Sequence, residues 1–219
     1  MMLSLLTTSY QAFLLPNRGY PLQSIFSEAG WPIFLLLALS IAGLAIIIER
    51  SLSLQTRRIC PPELSTQVLQ MVRAGQDLPA NLEKLQTLSP LGQILAQVVR
   101  KRHLPDAEFR LAVEDIGRDV AHNLQRYLPA LATVATIAPL LGLFGTVVGM
   151  IEIFAAYRPD GSDPTMLARG ISVALYNTGF GILIAIPCMI AHRLFKSRVE
   201  ALLLRMEQAA RRLNDALKD

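Results

Sequence analysis

Few side chains in this 219-residue chain could do chemistry, and the candidates sit in uncharged surroundings. Ala130–Phe154 reads ALATVATIAPLLGLFGTVVGMIEIF, and no charge occurs from Tyr127 to Ile151. Thr133, Thr136 and Thr146 interrupt this run, as do Pro139, Gly142, Gly145 and Gly149. At about 100° per residue, Pro139, Gly142, Thr146 and Gly149 fall within a quarter turn of one another. A stripe so small lets another backbone approach, and its hydroxyl can hold water or meet a polar group. The same residues would equally serve tight helix packing, with the hydroxyl bonded back to its own helix. Both readings stand on chemistry alone. A second small, polar face recurs downstream, where Ala174, Thr178, Gly181, Ala185 and His192 lie near one side of a helix.

Other chemistries find no support. There is no nucleophile–base pair, Walker, G-x-S-x-G or dinucleotide signature, so neither an enzyme nor a cofactor is expected. His103, His122 and His192 are scattered, and no group of His, Cys and carboxylates has metal-ligand spacing. Cys60 and Cys188 form no disulfide framework, since the first falls outside the bilayer and the second within it. A net charge of +4 reflects topology rather than a nucleic-acid partner, because no aromatic-interleaved basic run accompanies it.

The elements that must carry these residues follow from composition. With 52% hydrophobic residues, 17% charged residues and a mean hydropathy of +0.39, the chain is too apolar for an ordinary soluble domain. Trp31–Ile48, Tyr127–Ile151 and Gly170–Ala191 are each uncharged and long enough to span a bilayer. Arg50, Arg57 and Arg58 follow the first window, Arg110, Arg118 and Arg126 precede the second, and Arg193, Lys196 and Arg198 follow the third. The positive-inside rule therefore puts the N-terminus outside, with the long intervening segment and the tail in the cytoplasm.

Gly30-Trp31-Pro32 opens the first span, which is uniformly lipophilic and expected on the lipid-facing periphery. Glu49-Arg50 at its end reads as an interfacial pair with snorkelling side chains. Met1–Leu15 lacks a basic start and a small-residue cleavage site, so no cleaved signal peptide is expected; Leu22–Ala29 suits a short helix on the membrane surface. In the cytoplasmic segment, helices are expected from Pro61-Pro62 to Gly75, over Asn81–Leu88, and from Ser89-Pro90 to about His103. Phe109, Val113, Ile116, Val120 and Leu124 mark the apolar face of a further helix, expected to run unbroken into the second span. Arg158–Gly161 supplies a turn and Asp163-Pro164 a helix start. Beyond the third span, Phe195, Val199, Leu202, Met206, Ala209 and Leu213 form a heptad seam that needs partners, expected from neighbouring copies and the subunit's own long helix.

APLLGLFGTVVGMIEIF (Ala138–Phe154) resembles the second span of the ExbB/TolQ/MotA family, with its A-P-x-x-G-L-x-G-T-V run. RGISVALYNTGFGILIAIPCMIAHRLF (Arg169–Phe195) is similar to that family's third span, and SPLGQIL (Ser89–Leu95) is more weakly so. The resemblance reaches over about residues 30–213 and is strongest to the ExbB/TolQ branch; the MotA branch has four spans.

This resemblance implies an all-α polytopic membrane protein with three transmembrane helices and long cytoplasmic extensions of the second and third. Together with the uncharged windows and the arginine asymmetry, the expected division is a periplasmic segment 1–29, a first span 30–49, a cytoplasmic helical segment 50–126, a second span 127–154, a periplasmic loop 155–168, a third span 169–192 and a cytoplasmic tail 193–219. The resemblance further implies a homopentamer in the lipid of a bacterial inner membrane, with an ExbD/TolR-like single-span protein in its pore. Proton flow would drive work through a TonB- or TolA-like coupling protein. Pro139, Gly142, Gly145, Gly149, Gly181 and Pro187 would pack the pore wall. One position departs from the pattern: Val173 stands where ExbB and TolQ proteins commonly carry glutamate. The partner's acid, with water held by Thr146, Thr178, Asn177 and Tyr176, must then suffice, and sodium is left open beside the proton. The alternative function is a non-conducting oligomeric scaffold.

Overall fold

The computed structural model describes residues 31–156 and 164–218, apart from the side chains of residues 156, 164–169 and 173. The surface helix expected at Leu22–Ala29, the turn at Arg158–Gly161 and the cap at Asp163 lie outside the described residues. Every element in the described residues is helical: α1 Pro32–Ser53, α2 Thr56–Ile59, α3 Leu64–Arg73, α4 Pro79–Leu88, α5 Pro90–Lys101, α6 Asp106–Gln125, α7 Leu128–Ala156 and α8 Pro164–Lys218. Three of the helical runs are long and apolar enough to cross a membrane.

Local chemistry sets most boundaries. Pro32, Pro79 and Pro90 each occupy a first turn, where a missing N–H is no loss. Ser89 caps α5 by accepting from the Gly92 amide at 3.1 Å. Gly75, at φ +68°, ends α3 in the left-handed region that favours glycine. At Gly92 the close approach is to α4, whose Leu85 carbonyl oxygen occupies the place a Cβ would need.

The expected continuous helix from the cytoplasm into the second span is broken. Tyr127 has φ +66°, the one positive value at a non-glycine among the described residues. The cause is Pro129. In an unbroken helix its ring would clash with the Gln125 carbonyl and its missing N–H would orphan that oxygen. The chain instead turns at Arg126-Tyr127, the Tyr127 carbonyl accepts from the Leu131 amide at 3.0 Å, and Pro129 falls in the first turn of α7.

The break leaves α6 with orphan carbonyls, and α1 supplies a donor. Arg50 is 5% exposed. Its Nη1 donates to the Leu124 carbonyl at 3.3 Å, its guanidinium pairs with Glu49, and its Cζ lies 5.2 Å from the Tyr127 ring centroid. The snorkelling expectation fails for Arg50, which turns inward because partners await it there.

Below the membrane, α2–α6 and the lower half of α8 enclose one core, centred on Leu95, Ala96, Val98, Val120, Leu202 and Met206. The heptad seam belongs to this core: Val199, Leu202 and Met206 are buried within the protomer, and Ala210 is buried where Ala209 is half-buried. The neighbouring copies expected along this seam are not needed to cover it, because α3, α5 and α6 already do.

Aspartate at Met206, 0% exposed, would bury an unpaired carboxylate costing about 3–5 kcal/mol. Met206→Asp should therefore expose helices α2–α6 to limited proteolysis in detergent. Leu204→Asp, at a site 56% exposed, should leave the digestion pattern unchanged.

Candidate ion-path site

The candidate residues lie where α7 and α8 cross. Small residues on both helices let the backbones touch: a Cβ on Gly142 would come within 2.7 Å of the Asn177 carbonyl oxygen and 3.1 Å of the Thr178 Cα. One on Gly181 would meet the Ala138 carbonyl oxygen at 2.6 Å. Gly145 makes room for the Asn177 side chain, whose Cγ and Nδ2 lie 3.0 Å from where a Cβ would be. Gly149 is looser, facing the Ala174 Cβ at 3.6 Å. Two glycine-bearing faces thus interlock, as association inside lipid requires when no hydrophobic drive separates helix from solvent.

Helix α1 packs on one side of this pair. Gly43 sits against Cys188 and Val134, and the Trp31 ring meets Phe144 edge-on at 5.8 Å. Phe180, Leu183 and Pro187 line an open apolar groove of about 320 Å³ with Ile33, Leu36 and Leu44 of α1.

Against this frame the candidate residues separate. Thr146 lies about 120° around α7 from Val134 and about 160° from Phe144, on the side away from α1. Thr178 lies about 140–180° around α8 from Phe180, Leu183 and Pro187, on that same side. Both are half-buried. Asn177, 1% exposed, is wedged between the helices against Gly145. Tyr176 is 48% exposed and, two residues from Thr178, points to the opposite side of α8. Pro139 is half-buried within α7, while Pro187 belongs to the groove beside α1. The Thr146 hydroxyl donates to the Leu143 carbonyl at 2.6 Å, which commits its proton and leaves its oxygen able to accept.

Thr133 and Thr136 are exposed on α7, with hydroxyls bonded back to the carbonyls of Pro129 and Ala132. Sequence reasoning noted them only as interruptions of an apolar run. Arg50 reads in the sequence as half of an interfacial pair; its place beside the Leu124 carbonyl carries no sequence signal, because Pro129, which frees that carbonyl, lies 79 positions away. Among the described residues no cluster of His, Cys, Asp and Glu could hold a metal ion.

The profile of the MotA/TolQ/ExbB proton channel family matches residues 86–208. The chain belongs to this family. It is 29% identical over 177 residues to a putative biopolymer transport protein ExbB homolog of Methanothermobacter thermautotrophicus, covering 80% of this chain and 63% of that one. Against the putative biopolymer transport protein ExbB-like 1 of Synechocystis the identity is 30% over 181 residues, covering 78% and 69%. A Tol-Pal system protein TolQ of Pseudomonas aeruginosa is 40% identical over 112 residues, 48% of each chain. The chain thus spans less than two thirds of the methanogen protein and about half of this TolQ. It is a multi-pass membrane protein of a transport and channel family.

The spacing predicts a graded response to an added methyl group. Gly142→Ala and Gly181→Ala each force a Cβ onto backbone, which no rotamer can relieve, and should cost about 1–3 kcal/mol. Gly149→Ala should be mild, and Gly179→Ala, with nothing within 4 Å, silent. Melting temperatures of the four purified variants in one detergent check the order.

Proposed function

We propose that this chain is the ring-forming subunit of an ion-driven motor in the bacterial inner membrane, of the ExbB/TolQ type. The observation that carries this reading is that Thr146 and Thr178 share the side of the α7–α8 pair away from α1. If α1 faces lipid, that side faces the axis of a ring. Five copies would then wall a pore in which an ExbD/TolR-like partner presents an acidic residue. Water accepted by the two threonines would link that acid to either face of the membrane. Asn177 acts in this reading as a wedge setting the helix crossing, and Tyr176 stands off the path. Proton entry is the primary reading and sodium the alternative, since Val173 supplies no carboxylate. One charge crossing about 150 mV releases roughly 3.5 kcal/mol, enough to displace the partner and pull on a TonB- or TolA-like protein.

A non-conducting scaffold is the second reading, favoured by the bond from Thr146 to Leu143. Valine keeps the shape of threonine and removes the hydroxyl. Thr146→Val and Thr178→Val should therefore abolish energy-dependent uptake, or the equivalent cellular readout, while the complex is recovered intact from membranes. Normal activity in both variants would leave the hydroxyls as packing and sink the ion path.

The arginine asymmetry supports a periplasmic N-terminus and a cytoplasmic segment between α1 and α7. An impermeant maleimide should label Gly161→Cys in intact cells and the exposed Thr87→Cys only after lysis. Native Cys60 adds little background even in lysates. Burial pushes its thiol up to about 11, leaving roughly one thiolate in ten thousand at pH 7. Its labelling should rise about tenfold per pH unit toward 11, because the thiolate is the nucleophile.

A further inference from the structure

The heptad seam lies inside the protomer, so a ring must be joined below the membrane by some other surface. Among the described residues of the cytoplasmic half, two exposed charge clusters of opposite sign stand out. On α6, Glu108, Asp115 and Asp119 fall within about 40° of one another and are all exposed. Glu108 and Asp119 make no ion pair among the described residues, and Asp115 has only Arg118 at 4.0 Å. The second surface is an open groove of about 370 Å³ beside α8, floored by Cys60 and Pro61, onto which Arg57, Arg205 and Arg212 converge. None of these three arginines makes an ion pair among the described residues.

The two surfaces lie on different sides of the protomer at matching heights. Lys218 of α8 reaches Asp106 of α6 at 2.9 Å, which levels one end of each helix. Arg205 and Arg212 point about 120–140° around α8 from Lys218, away from α6. Helices α6 and α8 run antiparallel at about 1.5 Å per residue. Asp119 lies thirteen residues above Asp106 and Arg205 thirteen above Lys218, so the two share a level about 20 Å up. By the same measure Arg212 falls between Glu108 and Asp115, within about 6 Å in height of each.

A ring about the membrane normal sets one side of each copy against a different side of the next and preserves height. We propose that the arginine groove of one copy is the docking site for α6 of the adjacent copy. Asp119 meets Arg205 and Arg57, while Glu108 and Asp115 bracket Arg212. Three carboxylates meet three guanidinia, which removes the like-charge repulsion of each surface and fixes the register of the subunits. This interface rests on the ring reading, and it is a head-to-tail contact rather than a two-fold one.

The test uses the full chain in mild detergent, with mass and assembly read by native mass spectrometry across protein and salt concentration. Asp115→Arg with Asp119→Arg should raise the concentration for half-assembly about tenfold or more, and so should Arg205→Glu with Arg212→Glu. All four substitutions together should return it to within about threefold of the parent. Each site is exposed, so circular dichroism should be unchanged in every variant. Independently, Asp119→Cys with Arg205→Cys, in a chain with Cys60 and Cys188 replaced by serine, should be joined between copies by a short bis-maleimide. The product is a ladder in steps of one chain on a denaturing gel. An assembled parent with no ladder, and assembly insensitive to both reversals, overturns the docking while leaving the ring standing. A parent that stays monomeric overturns both.

Discussion

The arrangement of the spans depends on one contact, the meeting of the α7 and α8 backbones at Gly142 and Gly181. In lipid the apolar surface of a helix gains little by meeting another, so close backbone approach and interhelical polar contacts must hold the pair. The contact has almost no slack. Each glycine faces a carbonyl oxygen or a Cα of the partner helix within about 3 Å of the Cβ it lacks. Fixing the two helices there fixes the rotation of each. That rotation buries Asn177, turns Thr146 and Thr178 to one side, and leaves the other for α1.

A second constraint joins the spans to the helical bundle outside them. Pro129 breaks the rising helix just below the membrane, and an interruption there would let α7 swing relative to α6. Arg50 closes that freedom from α1 by bonding the Leu124 carbonyl and stacking on the Tyr127 ring, while Arg126 stacks on the same ring at 4.6 Å. A buried guanidinium is tolerated only when its desolvation is offset by such partners. Helix α8 needs no such joint, since its 55 residues, about 80 Å from end to end, run from the third span into the bundle without a break.

The two halves of the molecule solve burial differently. Below the membrane the bundle is self-sufficient, with its seam covered by its own helices. Within the membrane, α7 leaves Leu140, Leu143, Val147 and Ile151 more than half exposed, and α8 does the same with Leu175 and Leu183. Such surface suits lipid or a neighbouring copy equally, so hydrophobicity cannot by itself select a partner there. Selectivity must come from shape in the spans and from charge below them.

Much of this was legible in the sequence because it depends on neighbours along the chain. Three uncharged windows named the spans, prolines and Ser89 marked helix starts, Gly75 marked a stop, and the small-residue faces on both spans foretold a close crossing. The family motifs lie in those same faces. What the sequence left undecided was which partner covers each face, since periodicity records that a residue is apolar but not what it meets. The 195–213 seam reads identically whether its partner is a second copy or helices α3, α5 and α6. Tertiary packing chose the latter. Arg50 reads as interfacial until the carbonyls orphaned by Pro129, 79 positions later, are brought beside it. Tyr176, Asn177 and Thr178 are consecutive and equally polar in the sequence. Only the rotation of α8 against Gly142 and Gly145 sends one outward, one into the crossing and one to the side shared with Thr146.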